Sequence, residues 1–492
     1  MKVAAVKVFL VDGARINWVI VKVETDAGNY GVGDGTVGRC ERAVAATIEY
    51  FASYLVGQDP FRTELHADTM LRDSYWRTGV VHRAAVAALE AALLDIKGKA
   101  LGVPVYELLG GRCRDRIRCY ANNWARKTES LDVLQERARE AVGMGFDALK
   151  WDPFGPAYLQ LAPAQKRNVL AQIEAVRRTV GDDVDLLIEG HGRFDVPTAI
   201  RVGQAIAPYD PLFFEEPTPP ESIAAVANVR AHIPVRLATG ERYYDKQQFQ
   251  ELVTQKAADW IQPDVVHVGG LSEFRRIAAI AAAAYLPVQP HNPLGPVGNA
   301  MSVQLCASVP NLALLETMMV DVPWRSEIVT EHCRLVDGHM LIPDGPGLGI
   351  EFHEEAALKY AYRHIPGGHF RKGDPYPEGS RPWFKIGLRP GDTKPSPDRH
   401  GSCLASPRIN EGAGHDAQDD VCRLGACGAS CLWSGLGCRP PGHRRRTHLR
   451  QQGPSRRRPD AGQSARQVRR DLRLGFRHDG RSGVLAARRR RL

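Results

Sequence analysis

No stretch of this chain is apolar for long enough to read as a membrane span. The alanine-rich uncharged stretch Ile277 to Val288 is about half the length a bilayer crossing needs. Cysteine is sparse before residue 366, where Cys40, Cys113, Cys119, Cys306 and Cys333 stand far apart. That spacing excludes a disulfide scaffold and suits a reducing cytoplasm. The short apolar run at the start is broken by Lys7 and no small-residue cleavage site follows cleanly, so no secretory signal is expected. Lysine is missing after Lys394, although 21 arginines follow. The formal net charge of +9 is therefore unevenly spread: residues 366 to 492 carry 27 Lys and Arg against 11 Asp and Glu, and residues 1 to 365 carry 38 against 45. A mildly acidic body gives no reason to expect nucleic-acid binding by the body. With 43% apolar residues over 492 positions, a soluble cytoplasmic protein with a large core and more than one globular unit is expected.

What is present falls into four blocks. Lys2 to Leu10 and Trp18 to Glu24 alternate apolar and polar side chains, with Asp26-Ala-Gly28-Asn before the next strand, which predicts an antiparallel meander. Helical periodicity follows through Ala43 to Leu55 and Arg83 to Lys99, the latter read as an alanine-rich amphipathic helix. Residues 1–116 are thus expected to form an N-terminal α+β domain. From Ile117 short apolar strands alternate with helices: Ile117–Asn123, Ala148–Phe154, Leu186–Gly190, Phe213–Pro217, Val235–Gly240, Trp260–His267, Pro287–His291 and Ala313–Met318. Eight such units predict a closed (β/α) barrel over 117–325, with its chemistry at the carboxyl ends of the strands. Residues 326–365 lose the alternation, carry turn residues around Leu335 to Gly347, and are expected to pack back on the first domain.

Within the barrel, Glu189, Glu215 and Glu241 recur every 26 residues, each closing a short apolar run. A strand, helix and two loops use roughly 25 to 30 residues, so the three carboxylates are expected at one height on successive strands. Most glutamates are solvated surface groups. A carboxylate at the end of a buried strand, however, needs a cation or donors, and hard oxygen donors suit Mg²⁺, one per subunit. The expectation is a metal-assisted enzyme.

Further residues join that cluster. Asp264 and His291, 27 residues apart on neighbouring units, can pair so that the carboxylate fixes the imidazole as a general base; a structural histidine hydrogen-bonded to an aspartate is the plainer alternative. His191, two residues beyond Glu189, can face the same side by strand alternation and serve as an acid, as a fourth ligand, or only structurally. Lys150 can stabilise negative charge on a substrate or be merely salt-bridged, and Glu316 at the end of the eighth strand can bind substrate or be structural. Gly33-Asp-Gly35-Thr-Val-Gly38 fits a dinucleotide fingerprint only in spacing, because it follows an antiparallel hairpin.

After about Arg371 the composition turns to Gly, Pro, Ser and Arg without periodicity, so 366–492 is expected to be a disordered tail. It reads as a basic arm for polyanions, as the product of a shifted reading frame in a GC-rich gene, or as an unexplained extension; a zinc knuckle on Cys422, Cys427, Cys431, Cys438 and His443 is the remaining reading, although their spacings match no compact ligand pair followed by another.

Over residues 1 to 365 the chain resembles the enolase superfamily, in its mandelate racemase branch. The resemblance is carried by Ala91 to Ala100, Leu108-Leu-Gly-Gly111, Glu215-Glu216-Pro217, Thr239-Gly-Glu241, Gln262-Pro-Asp264 and Ile342 to Gly349. It implies a capping domain on a modified TIM-type barrel, with Mg²⁺ on the three glutamates chelating a 2-hydroxy acid and stabilising an enediolate once His291, paired with Asp264, takes the α-proton. A Lys or His base working with Mg²⁺ on an enediolate is the established chemistry of that superfamily, and it comes to this chain through the resemblance alone. His191 matches the acid that expels the 3-hydroxyl in galactonate- and gluconate-type dehydratases. Where the racemases carry a second lysine, this chain has Asp152, which disfavours racemisation. Trp76 and Arg77, with Asp12 to Asn17, are either the expected substrate-closing loops or packing at the domain interface, and relatives are commonly dimers or octamers. The reading is an acid sugar dehydratase. A cycloisomerase or lactonising enzyme of the same superfamily is the nearer alternative, and a polyanion-binding protein acting through its tail is the more distant one.

Overall fold

The computed structural model of the chain describes residues 1–76, 79–125, 130–330 and 333–365. Arg77 and the whole of 366–492 lie outside the described residues, and with them the zinc-knuckle and polyanion readings.

Three antiparallel strands open the chain, β1 (Val3–Asp12), β2 (Asn17–Thr25) and β3 (Tyr30–Asp34), in the order β1-β2-β3. Helices α1 (Glu41–Leu55) and α3 (Val80–Leu101) pack on them, and α2 (Thr63–Arg72) packs on α3. The expectation of an amphipathic α3 does not hold, because its side chains are buried without a break from Ala84 to Ile96. Alanines allow this: α3 lies against α1, α2 and β3, and Gly31 and Gly33 of β3 come so close that an added Cβ would stand 2.1 and 1.9 Å from the carbonyls of Ala92 and Ala88.

The barrel strands are β4 (Arg116–Asn122), β5 (Ala148–Trp151), β6 (Asp185–Glu189), β7 (Phe213–Glu215), β8 (Leu237–Thr239), β9 (Trp260–Ile261) and β10 (Leu315–Met318). They pair in parallel in chain order, and β10 returns to β4. Several expected strands are shorter than predicted, and two are cut back furthest. Trp260–His267 is a strand only at its first two residues, and Pro287–His291 keeps a single bridge position, Val288, which links Ile261 to Leu312 and so closes the ring. Proline explains both: Pro263, Pro287 and Pro290 offer no N–H to a ladder.

One layer of the barrel interior is Tyr120, Ala148, Leu187, Phe213, Ala238 and Leu314. Strand side chains alternate, so the residues two further along face inward one layer higher, at the carboxyl mouth. Those are Asn122, Lys150, Glu189, Glu215 and Glu316, while β8 places Gly240 at that height.

Residues 333–365 touch both halves. A short hairpin, Leu335–Val336 with His339–Leu341, adds antiparallel to the first half of β4. Glu354 pairs with Lys7 and Lys22 on the cap sheet, and Leu348 donates its N–H to Asp95 of α3. No described helix is long and apolar enough to cross a membrane.

Candidate active site

Glu189 and Glu215 are direct partners in the β6–β7 ladder, as their spacing predicts. Glu241 reaches them differently. Glu215 pairs with Ala238, so Glu241 lies three residues past the level of its neighbour, and Gly240 makes the detour possible by running against the Gln262 backbone, where a Cβ would stand 2.5 Å away. One oxygen from each of the three carboxylates still falls within 4.8 Å of the others.

Lys150 fills the centre of the group. Its Nζ lies 2.8 Å from Glu215 Oε1, 3.2 Å from Glu189 Oε2 and 3.5 Å from Glu316 Oε1, and sits 5.3 Å from the Tyr120 ring centroid. Burial disfavours its charge, yet Glu215 and Glu316 outweigh burial and hold the ammonium well above its usual range. The carboxylates split. Burial and the charge of Glu189 push Glu215 well up; for Glu189 burial is outweighed by His191 and Lys150, which hold it well below the usual range. Glu215 Oε2 is buried without a hydrogen-bond partner. Three convergent carboxylates, Glu215 among them with an oxygen buried without a hydrogen-bond partner, fit a divalent cation such as Mg²⁺.

Two histidine–aspartate pairs stand at the two ends of this row. His291 Nδ1 lies 2.7 Å from Asp264 Oδ2 and its Nε2 3.4 Å from Glu241 Oε2. Asp264 is fully buried, and its Oδ1 accepts from the N–H of Val266 and His267, so it stands in a turn beyond β9 and not within a strand. Burial alone would depress the His291 imidazole; Glu241, Glu316 and Asp264 together push it up to about 9.

His191 Nδ1 lies 2.7 Å from Asp152 Oδ2. It does not arrive there by strand alternation. The strand ends at Glu189, and His191 has a φ of 47° while its own N–H donates to Glu189 Oε1 at 2.7 Å. Burial opposes its charge, but Glu189 and Asp152 hold the imidazole up at about 9. Glu316 accepts from Asn122 Nδ2 at 2.5 Å and from Asn292 N at 2.8 Å, fixing it beside Lys150. Trp76 is exposed, its ring edge-on to Tyr75, and takes no part in the hydrogen bonds and ion pairs of this cluster.

Several residues of this arrangement do not stand out in the sequence. Asp152, visible there only as the replacement for a second lysine, is the partner of His191 and also of Arg193. A clue is present only in the expected strand Ala148–Phe154, in which Asp152 would share a face with Lys150; the strand itself ends at Trp151. Glu216, buried at a φ of 37°, is pushed up to about 7, chiefly by burial and Glu241, and pairs with Arg242, whose Nη2 lies 2.8 Å from it. Gly192 is where Arg242 crosses the His191 loop, and a Cβ there would stand 1.8 Å from Nη2.

Residues 7–110 match the mandelate racemase / muconate lactonizing enzyme N-terminal domain, and residues 133–356 the enolase C-terminal domain-like family. The chain is 35% identical over 344 residues to the D-gluconate dehydratase of Thermoproteus tenax, covering 70% of this chain and 69% of that one. It is also 35% identical over 355 residues to the D-galactonate dehydratase of Variovorax paradoxus, 71% and 92% of the two chains. Among solved structures, the mandelate racemase/muconate lactonizing enzyme-like protein of Rubrobacter xylanophilus superimposes with a TM-score of 0.69 at 33% identity, over 74% of this chain and 98% of that one. The cap, the barrel and these matches together make the chain a member of the enolase superfamily, in its mandelate racemase and muconate lactonizing enzyme branch.

Proposed function

We propose that the chain is a Mg²⁺-dependent dehydratase of an acid sugar, an aldonic acid such as galactonate or gluconate, and so a carbon–oxygen hydro-lyase. The observation that carries this reading is the pair of histidine–aspartate units, His291–Asp264 and His191–Asp152, at opposite ends of one row of carboxylates. A 1,2-elimination needs a base for one proton and an acid for one leaving hydroxyl. The names of relatives such as the D-gluconate and D-galactonate dehydratases point the same way.

Glu189, Glu215 and Glu241 would hold the cation. Bound there, Mg²⁺ would offset the charge of those carboxylates, and with it the strongest influence raising His291, and would polarise a substrate carboxylate so that its α-proton can be removed. His291 Nε2, its other nitrogen fixed by Asp264, takes the C2 proton. The C3–O bond breaks as His191, held by Asp152, gives its proton to the departing hydroxyl, and water leaves. The enol that remains tautomerises to the 2-keto-3-deoxy acid. Lys150 holds positive charge beside the carbon that loses its proton, and Glu316, fixed by two asparagines, is a hydrogen-bond acceptor for a sugar hydroxyl. In the same reading Trp76, exposed beside Tyr75, is proposed to contact the bound acid.

Incubating the purified chain with Mg²⁺ and a panel of aldonic and aldaric acids, and reading 2-keto-3-deoxy products by semicarbazide absorbance, tests the proposal. Keto-acid formation from one or two acids, abolished by EDTA, is expected. A folded, Mg²⁺-binding protein silent across the panel, but active on a lactone or anhydro-sugar acid, would transfer the reading to a cycloisomerase.

A further inference from the structure

Beside the base pair stands an imidazole to which the mechanism gives no task. His267 is three residues beyond Asp264, part-buried, in the turn that follows β9. Its Nδ1 lies 3.1 Å from the backbone carbonyl of Glu241. A carbonyl only accepts, so Nδ1 must carry the hydrogen and donate. The same nitrogen lies 3.7 Å from Asp264 Oδ2, and the ring lies 5.9 Å from that of His291, tilted by 38°. The backbone N–H of His267 completes the arrangement by donating to Asp264 Oδ1.

We infer that His267 is a positioning residue that ties the metal-ligating residue Glu241 to the His291–Asp264 pair. The inference rests on the function proposed above. Glu241 needs such a tie more than the other two ligands do. Glu189 and Glu215 end paired strands, whereas Glu241 lies beyond its strand, after the detour at Gly240. Among the described residues its side chain pairs with His291 Nε2, so its backbone is where a neutral donor can hold it. The donor that holds it comes from the turn organised by Asp264. One imidazole therefore links the position of a cation ligand to the position of the base, and the separation between the cation and His291 Nε2 depends on it. Proton transfer is sensitive to shifts of about 1 Å, which can cost on the order of 10²-fold in rate.

The test compares the full chain with His267→Ala and His267→Asn. The Asn amide nitrogen can stand where Nδ1 stands and keep the donor; Ala cannot. Mg²⁺ affinity is measured by calorimetry without substrate, kcat and KM on an acid the wild type accepts, and Tm on each variant. For Ala, Mg²⁺ binding about 10-fold weaker and kcat about 10²-fold lower, with KM within about threefold, are expected, because residues that orient ligands typically cost about 10- to 100-fold. Asn should recover both to within about fivefold of wild type. Should Ala fail to fold, His267→Gln, which carries its amide one bond further out, takes its place. Wild-type-like Mg²⁺ affinity in the Ala variant, or equal losses in Ala and Asn that track a lowered Tm, would overturn the inference. If the wild type dehydrates none of the acids, the calorimetric comparison still decides it, since the function proposed above would then fail separately.

Discussion

His291 and His191 are both imidazoles 2.7 Å from an aspartate, and each is raised to about 9 by surrounding carboxylates, so the environment does not assign base and acid. Their positions suit the proposed roles: His291 approaches the cluster at Glu241 and His191 at Glu189, so a substrate lying along the row would have C2 near the first and the 3-hydroxyl near the second. Replacing His291 by Asn should leave the fold and Mg²⁺ binding intact and lower kcat by about 10³-fold, the scale of a lost general base, as product formation will read. A second prediction concerns Gly192. Its φ of 58° suits glycine, and an added methyl would collide with Arg242. Gly192→Ala should therefore displace Arg242 from Glu216 and shift the His191 loop. Urea unfolding should show a loss of about 1–3 kcal/mol, with a fall in kcat larger than any change in Mg²⁺ affinity.

At the scale of elements, the barrel depends on its cap through α3. Glu90, buried in that helix, accepts from the N–H of Leu271 and Ser272 and from the Ser272 hydroxyl, and so caps the barrel helix Leu271–Ala283 from another domain. Glu90→Ala would leave two backbone donors at that helix start without their acceptor. A loss of about 2 kcal/mol or more in urea unfolding is expected, with kcat within about threefold of wild type. Sequence could not show this bond, because 181 residues separate its ends. The strands were legible where alternation and a regular interval coincide, as at Glu189 and Glu215. They were not legible where proline cut the ladder, at 263, 287 and 290, or where a glycine detour carried Glu241 to the cluster from a level three residues beyond its register. For the same reason the partners of the histidines were only half readable: Asp264 followed from spacing, whereas Asp152 becomes a partner through a positive-φ turn at His191 that no periodicity reports.

For the molecule as a whole, the row of carboxylates is a concentrated negative charge in the interior, offset within the protein by Lys150 and two raised histidines. A divalent cation that binds the folded chain and not the unfolded one stabilises it by mass action, about 2.7 kcal/mol at one hundred times its Kd. Thermal unfolding should therefore show Tm rising with Mg²⁺ and falling on EDTA, and Glu215→Gln should flatten that dependence. Every residue given a chemical role lies before 366, so a chain ending at His369 should keep its kcat on the same acid, as the keto-acid assay will show. The measurement that bears most directly on the central claim follows the C2 proton of the accepted acid by NMR in D₂O. The account predicts that His191→Asn exchanges that proton for deuterium without losing water, while His291→Asn neither exchanges nor dehydrates. Exchange that persists in His291→Asn, or dehydration that persists at the wild-type rate in His191→Asn, would contradict the assignment of base and acid.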